Sequence, residues 1–122
     1  MTTILIVDDD PVAQRVLSAQ LRKVGHTTIA ARSGEGALKQ LAETPCDLAI
    51  LDIGLPEMNG LTLLRMLRAN ADYRALLIIM LTASGQDKDC IEAEAAGVNA
   101  FLHKPASTSE LIETVSRLLR HQ

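Results

Sequence analysis

The chain has 122 residues, 48% hydrophobic and 22% charged, with a formal net charge of -3, which fits one domain over residues 1–122 around a single core. It shows neither a basic cluster that would hold nucleic acid nor an apolar run long enough to span a bilayer, and the Thr2-Thr3 start has no signal-peptide pattern. A cytoplasmic protein without direct nucleic-acid or membrane contact is therefore expected.

Taken in chain order, Ile4-Leu5-Ile6-Val7 is an apolar run of strand length that ends on Asp8-Asp9-Asp10. Asp10-Pro11 reads as N-cap and first helical residue, and Val12, Val16, Leu17, Leu21 and Val24 recur at helical spacing until Gly25 stops the helix. His26 to Ala31 is a more polar extended run suited to a sheet edge. Ser33 then caps a second helix carrying Ala37, Leu38, Leu41 and Ala42, which Thr44-Pro45 ends. The third strand, Leu48 to Leu51, runs into Asp52 and the turn-forming Gly54-Leu55-Pro56-Glu57-Met58-Asn59-Gly60.

Leu61, Leu64 and Leu67, with Leu63 and Met66, predict a third helix that frays in Asn70-Ala71-Asp72. Leu77 to Leu81 is a fourth strand ending at Thr82. Asp87 to Ala96 is an acidic helix with Ile91 as its main large apolar residue, so light packing and mobility are expected there, and Gly97 is its natural C′ residue. Ala100-Phe101-Leu102-His103 leads into Lys104-Pro105. Ser107-Thr108-Ser109-Glu110 is a capping box that opens a last helix with Leu111, Val115, Leu118 and Leu119 on its buried face.

Five strands alternating with five helices predict an α/β fold: a five-stranded, parallel, doubly wound sheet of flavodoxin-like order 2-1-3-4-5, with helices on both faces. All strand C-termini then share one edge, where Asp8, Asp9 and Asp52 would meet Thr82 and Lys104. Carboxylates within about 4 Å repel by roughly 4 kcal/mol per pair at an effective dielectric near 20, so such a cluster calls for a cation. Its oxygen-only ligands suit Mg²⁺, which leaves positions open for a phosphate. An aspartate can attack phosphorus to give an acyl phosphate if the incoming charge is neutralised. Lys104 and the Thr82 hydroxyl could contact the phosphoryl oxygens, and the small Ala83 keeps the approach open.

Singly, each residue has a plainer reading: Asp10 is a helix cap, Pro56 and Gly60 are turn residues, Thr82 is a strand end, and Lys104 is a solvated lysine. Cys46 and Cys90, without a Cys-x-x-Cys or Cys/His grouping, read as small core or surface residues of a reducing compartment. His26, His103 and His121 read as structural or solvated. What favours function is the joint occurrence of the acids, Thr82 and Lys104 at the ends of different strands.

With Asp8-Asp9, Asp52 with Leu55 to Gly60, Thr82-Ala83 and Phe101-Leu102-His103-Lys104-Pro105, the chain resembles, over nearly its whole length, the CheY-like receiver domain of two-component response regulators. The resemblance implies that Asp52 is the phosphoacceptor. Asp9, Asp52 and the Gly54 backbone carbonyl would bind Mg²⁺, for which Mn²⁺ can substitute, with Asp8 supporting through water. Thr82, Ala83 and Lys104 would form the phosphoryl site, Thr82 and Phe101 the switch, and Pro56, Gly60 and Pro105 the supporting turns.

The resemblance further implies a signalling switch rather than a metabolic enzyme, one that catalyses only its own phosphorylation and dephosphorylation. Its donor would be a sensor histidine kinase or histidine phosphotransfer protein, and its output a domain or protein reading the fourth helix, fifth strand and fifth helix. Ala106 stands where many receivers have an aromatic residue, Ile53 where some have tryptophan, and Asn99-Ala100 lacks an acidic pair common in transcription-factor receivers. The rival reading is a haloacid-dehalogenase-like phosphatase using Asp8 and Asp10, against which stands the absence of a cap insertion. The chain ends directly after the fifth helix, which fits a free-standing receiver or one excised from a longer protein.

Overall fold

The structure, a computed structural model, describes residues 2–83 and 86–120. Its elements follow in the order β1 (Thr3–Val7), α1 (Pro11–Lys23), β2 (Thr27–Ala31), α2 (Gly34–Glu43), β3 (Leu48–Leu51), α3 (Gly60–Ala69), β4 (Leu77–Thr82), α4 (Asp87–Ala95), β5 (Ala100–His103) and α5 (Thr108–Arg120). The sheet order is β2-β1-β3-β4-β5 with every pairing parallel, as the alternating pattern predicts.

Why the strands read as unbroken apolar runs is visible in their side chains, which alternate between two buried layers. Leu5, Val7, Ala49, Leu51, Ile78 and Met80 face α2, α3 and α4, where Ala37, Leu41, Leu63, Leu64, Leu67 and Ala93 meet them. Ile4, Ile6, Leu48, Ile50, Ile79 and Leu81 face the opposite side and pack on Leu21 of α1 with Leu111 and Val115 of α5. β2, the more polar strand, lies on an edge.

Side-chain caps fix four helix starts. Asp10, Ser33, Asn59 and Ser107 accept from the N–H groups of Val12, Gly36, Thr62 and Glu110 at 2.9–3.0 Å. α4 begins without a side-chain cap hydrogen bond, and Ala93 is its buried residue. Gly25 and Gly97 end α1 and α4 with φ of +98° and +96°, the left-handed geometry that glycine adopts without a steric penalty.

Several expectations need correction. Val12, Val16 and Val24 are 58%, 50% and 50% exposed, so the apolar face predicted for α1 is mostly solvent-facing and Leu21 carries the helix's burial. Ala42 and Met66 also face out. The light packing expected of α4 stands, with Ile91 66% exposed and the small Ala93 its buried residue. The predicted fraying after α3 is a 3-10 turn at Ala71–Tyr73, with the Asn70 side chain accepting from Asp72 N–H. Cys46 and Cys90 are free and half-buried, and burial pushes the Cys46 thiol pKa up, helped by the negative charge of Asp47. His121 lies outside the described residues.

Candidate functional site

The site forms where β1, β3 and β5 end. Asp8 is the first residue past β1. Its N–H donates to the Ala31 carbonyl at 3.1 Å, and the Asp52 N–H donates to the carbonyl of Val7 at 3.1 Å. The ladder's last bonds thus set both acids side by side. Carboxylate oxygens of Asp8, Asp9 and Asp52 all lie within 4.8 Å of one another, with Asp8 buried, Asp52 half-buried and Asp9 exposed. Of Asp8, only 3% of the residue is accessible to solvent.

Lys104 completes the cluster. Its Nζ donates to Asp8 Oδ2 at 2.7 Å and to Asp52 Oδ2 at 3.2 Å, and its backbone N–H donates to the Thr82 carbonyl at 2.8 Å. Burial by itself lowers the ammonium's pKa, but the hydrogen bond to Asp8, the charges of Asp52 and Asp8 and the bond to Asp52 together outweigh it. The net shift is upward from the ordinary lysine value. One cation is therefore shared by two acids, and the third acid is within reach of both.

The remaining carboxylate oxygens are held by backbone. Asp8 Oδ1 accepts from Asp10 N–H at 3.0 Å, and Asp52 Oδ1 accepts from Gly54 N–H at 3.2 Å. The loop after Asp52 turns sharply through Glu57, at φ +65°, and returns so that Gly60 N–H donates to the Ile53 carbonyl at 2.9 Å. A Cβ on Gly60 would run into the backbone carbonyl of Asp52, so the close approach of α3 to the acid requires glycine. Asn59, which sequence reading passed over as one more turn residue, caps α3 at this point.

Thr82 is buried at the end of β4, and Ala83 beyond it is exposed. Phe101 pairs in register with Met80 and packs half-buried against the α3/α4 layer, edge-on to His103 with ring centroids 5.2 Å apart. Pro105 follows Lys104 through a cis peptide and is exposed, as is Pro56. The structure thus gathers Asp8, Asp9, Asp52, Gly54 and Lys104 at one point, with Thr82 on the neighbouring strand end. Phe101 stands apart on the helix α4 side. Asp10 is not part of the cluster: its carboxylate caps α1.

A doubly wound parallel sheet with three carboxylates and a shared lysine at its C-terminal edge defines a class of domain suited to a divalent cation and a phosphate. The chain belongs to the response regulator receiver domain family, whose sequence pattern matches residues 4–116. It is 35% identical over 98% of its length to the transcriptional regulatory protein KdpE of Mycobacterium tuberculosis, of which it covers 52%. It is 31% identical to the protein PilH of Pseudomonas aeruginosa, covering 98% of each.

Among solved structures, the receiver domain of a signal transduction histidine kinase from Syntrophus aciditrophicus superposes with a TM-score of 0.93 at 34% identity, over 99% of this chain and 92% of that one. The chain spans about half the length of several curated relatives it matches, KdpE among them. It is a receiver domain of two-component signalling, and its acidic cluster fits a phosphoacceptor site. The phosphatase reading is not supported.

Proposed function

We propose that Asp52 accepts a phosphoryl group from a phosphohistidine donor, with Mg²⁺, or Mn²⁺ in its place, held by Asp9, Asp52 and the Gly54 carbonyl and supported by Asp8. The observation that carries this reading is the Lys104 ammonium shared between Asp8 and Asp52, with the Asp9 carboxylate close by. Three carboxylates against one ammonium leave the cluster short of positive charge, and its all-oxygen donor set suits a hard divalent ion. Such an ion, when bound, neutralises charge on the acids and on an incoming phosphoryl group.

The chain's own residues do the rest. An Asp52 oxygen attacks phosphorus, and the phosphorus–nitrogen bond of the donor breaks with its electron pair returning to the imidazole. Lys104 exchanges its bond to Asp52 for one to a phosphoryl oxygen, and the Thr82 hydroxyl donates to another. Asp52 stays oriented by Gly54 N–H, so little reorganisation is needed as charge develops. Catalysis is limited to the domain's own phosphorylation and dephosphorylation.

The valines that α1 leaves exposed support an approach of the donor along this helix. Val12, Val16, Leu17, Pro105, Ala106 and Lys104 line a groove of about 310 Å³ beside the site. Because Lys104 belongs to both groove and acid cluster, a histidine-bearing helix of a kinase or phosphotransfer protein could cover the groove while presenting its imidazole to Asp52. Such donors work in the cytoplasm, where this reading places the chain. No described helix is long and apolar enough to cross a membrane.

Output would pass through Thr82, Phe101 and the α4–β5–α5 surface to a domain or partner protein, since α4 is held by little buried area. Incubation with a small acyl phosphate and Mg²⁺, followed by intact-mass analysis, tests the reading. One phosphoryl group should add to the wild type and none to Asp52→Asn. Equal labelling of both would refute it.

A further inference from the structure

Gln14 lies on α1, outside the acidic cluster and away from every motif that marks the family resemblance. Its side-chain amide makes two short hydrogen bonds, donating through Nε2 to the Asp8 carbonyl at 2.7 Å and to the Ala31 carbonyl at 2.6 Å. The same Ala31 carbonyl also accepts the Asp8 N–H at 3.1 Å. Val7 and Ala31 are the last register pair of β1 and β2, so Asp8 is where the ladder stops and its carbonyl no longer has a strand partner. Gln14 supplies that partner.

The consequence reaches past Asp8. A carbonyl and the following N–H share one rigid plane, so fixing the Asp8 carbonyl fixes the peptide that joins Asp8 to Asp9. It thereby fixes where the Asp9 N and Cα sit, leaving rotation about the N–Cα bond and the side-chain torsions to aim the carboxylate. Asp8 has further restraints through Asp10 N–H and Lys104. Asp9 is exposed, and its Cα is carried on the plane that Gln14 holds. We infer that Gln14 is a positioning residue for divalent-cation binding: its amide staples the ends of β1 and β2 so that Asp9 points into the cluster with Asp8 and Asp52.

This rests on the phosphoacceptor reading for its biological meaning, but its test reads cation binding directly. Outer partners that orient metal ligands typically carry about 10- to 100-fold in metal affinity. Gln14→Met keeps the length of the side chain and removes both donors. In titrations of the unphosphorylated protein followed by amide NMR shifts, it should bind Mg²⁺ about 10-fold more weakly or worse than wild type. Phosphorylation by a small acyl phosphate should then show a correspondingly higher Mg²⁺ requirement, with the rate at saturating Mg²⁺ close to wild type.

If Gln14 acts only in packing α1, the variant melts earlier and its Mg²⁺ affinity stays within about twofold of wild type, which overturns the inference while leaving the phosphoacceptor reading intact. Should Gln14→Met fail to fold, Gln14→Asn keeps an amide but retracts it by one methylene, and an unchanged affinity there overturns the inference equally. A wild-type chain that binds no Mg²⁺ overturns the cation reading and this inference together. A wild type that binds Mg²⁺ but takes up no phosphoryl group refutes the phosphoacceptor reading alone.

Discussion

Lys104→Met retains the aliphatic stem and removes the ammonium that Asp8 and Asp52 share. The three acids keep carboxylate oxygens within 4.8 Å of one another. At that separation and an effective dielectric near 20, an unscreened pair repels by about 3.5 kcal/mol. The Asp8 side chain is 4% exposed and the Asp52 side chain 14%, so Asp8 bears most of the loss while water relieves part of it at Asp52. Removing one partner of a buried pair costs about 3–5 kcal/mol in well-shielded cases. Lys104 itself is 26% exposed, which brings the expected destabilisation to about 2–3 kcal/mol in metal-free buffer at neutral pH.

Urea unfolding of both proteins measures the difference, and Mg²⁺ should return more stability to the variant than to wild type, because the ion replaces missing positive charge. The pH dependence has a definite sign. The ammonium's pKa is raised in the folded protein, so its contribution is whole below the ordinary value near 10.4 and is lost as pH climbs through the folded value. The gap between the two proteins should stay level from about pH 7 to 10 and close above it. A variant as stable as wild type at neutral pH without Mg²⁺, or a gap that widens in alkali, would show that the shared ammonium does not hold the cluster.

Gly60→Ala places a methyl group against the Asp52 carbonyl and should cost about 1–3 kcal/mol through overpacking, with phosphorylation slowed, as paired denaturation and labelling would show. Asp10→Ala removes the cap on Val12 N–H and should cost about 1 kcal/mol in thermal or urea unfolding while leaving Mg²⁺ affinity near wild type. Arg68→Ala withdraws donors from the half-buried carbonyls of Tyr73 and Leu76 and should cost about 2–3 kcal/mol, with hydrogen exchange rising at the α3–β4 connection and around Gly97.

The sequence showed the strands because both sheet faces are buried, leaving runs such as Leu48 to Leu51 with no polar interruption. Asp8, Asp9, Asp52 and Lys104 stood out because each follows such a run, and parallel strands bring their ends to one edge. Periodicity alone misjudged α1: Val12, Val16 and Val24 keep helical spacing, yet α1 meets the sheet mainly through Leu21, with Leu17 packed alongside. The light packing expected of α4 is what its composition allowed: Ile91, its one large apolar residue, is exposed, and the small Ala93 is what is buried. Gln14 and Arg68 were illegible because their partners are mostly backbone carbonyls. Such bonds depend on where another segment ends, and side-chain chemistry along the chain carries no trace of them.

Arg68 also bears on how a change at Asp52 could travel. Its Nε donates to the Gly97 carbonyl at 2.9 Å and its guanidinium reaches Asn99 Oδ1 at 2.8 Å, while a third branch bonds the Leu76 carbonyl at 2.7 Å. Asn99 Oδ1 in turn accepts from Ile78 N–H at the start of β4. The C-terminal end of α4 is thereby tied to α3 and to the sheet by charge-assisted bonds, which are stronger than neutral ones. At the other end α4 lacks a side-chain cap, and along its length Ala93 is its one buried residue. Midway along the helix Glu92 pairs with Arg65 of α3 at 3.4 Å, so polar contacts and the small Ala93, not a large apolar face, hold α4 in place. α4 follows β4, whose end carries the buried Thr82. A change at Asp52 that displaced Thr82 would therefore meet a helix with little buried apolar area, and Phe101, packed half-buried in the same layer, would have to adjust if α4 tilted.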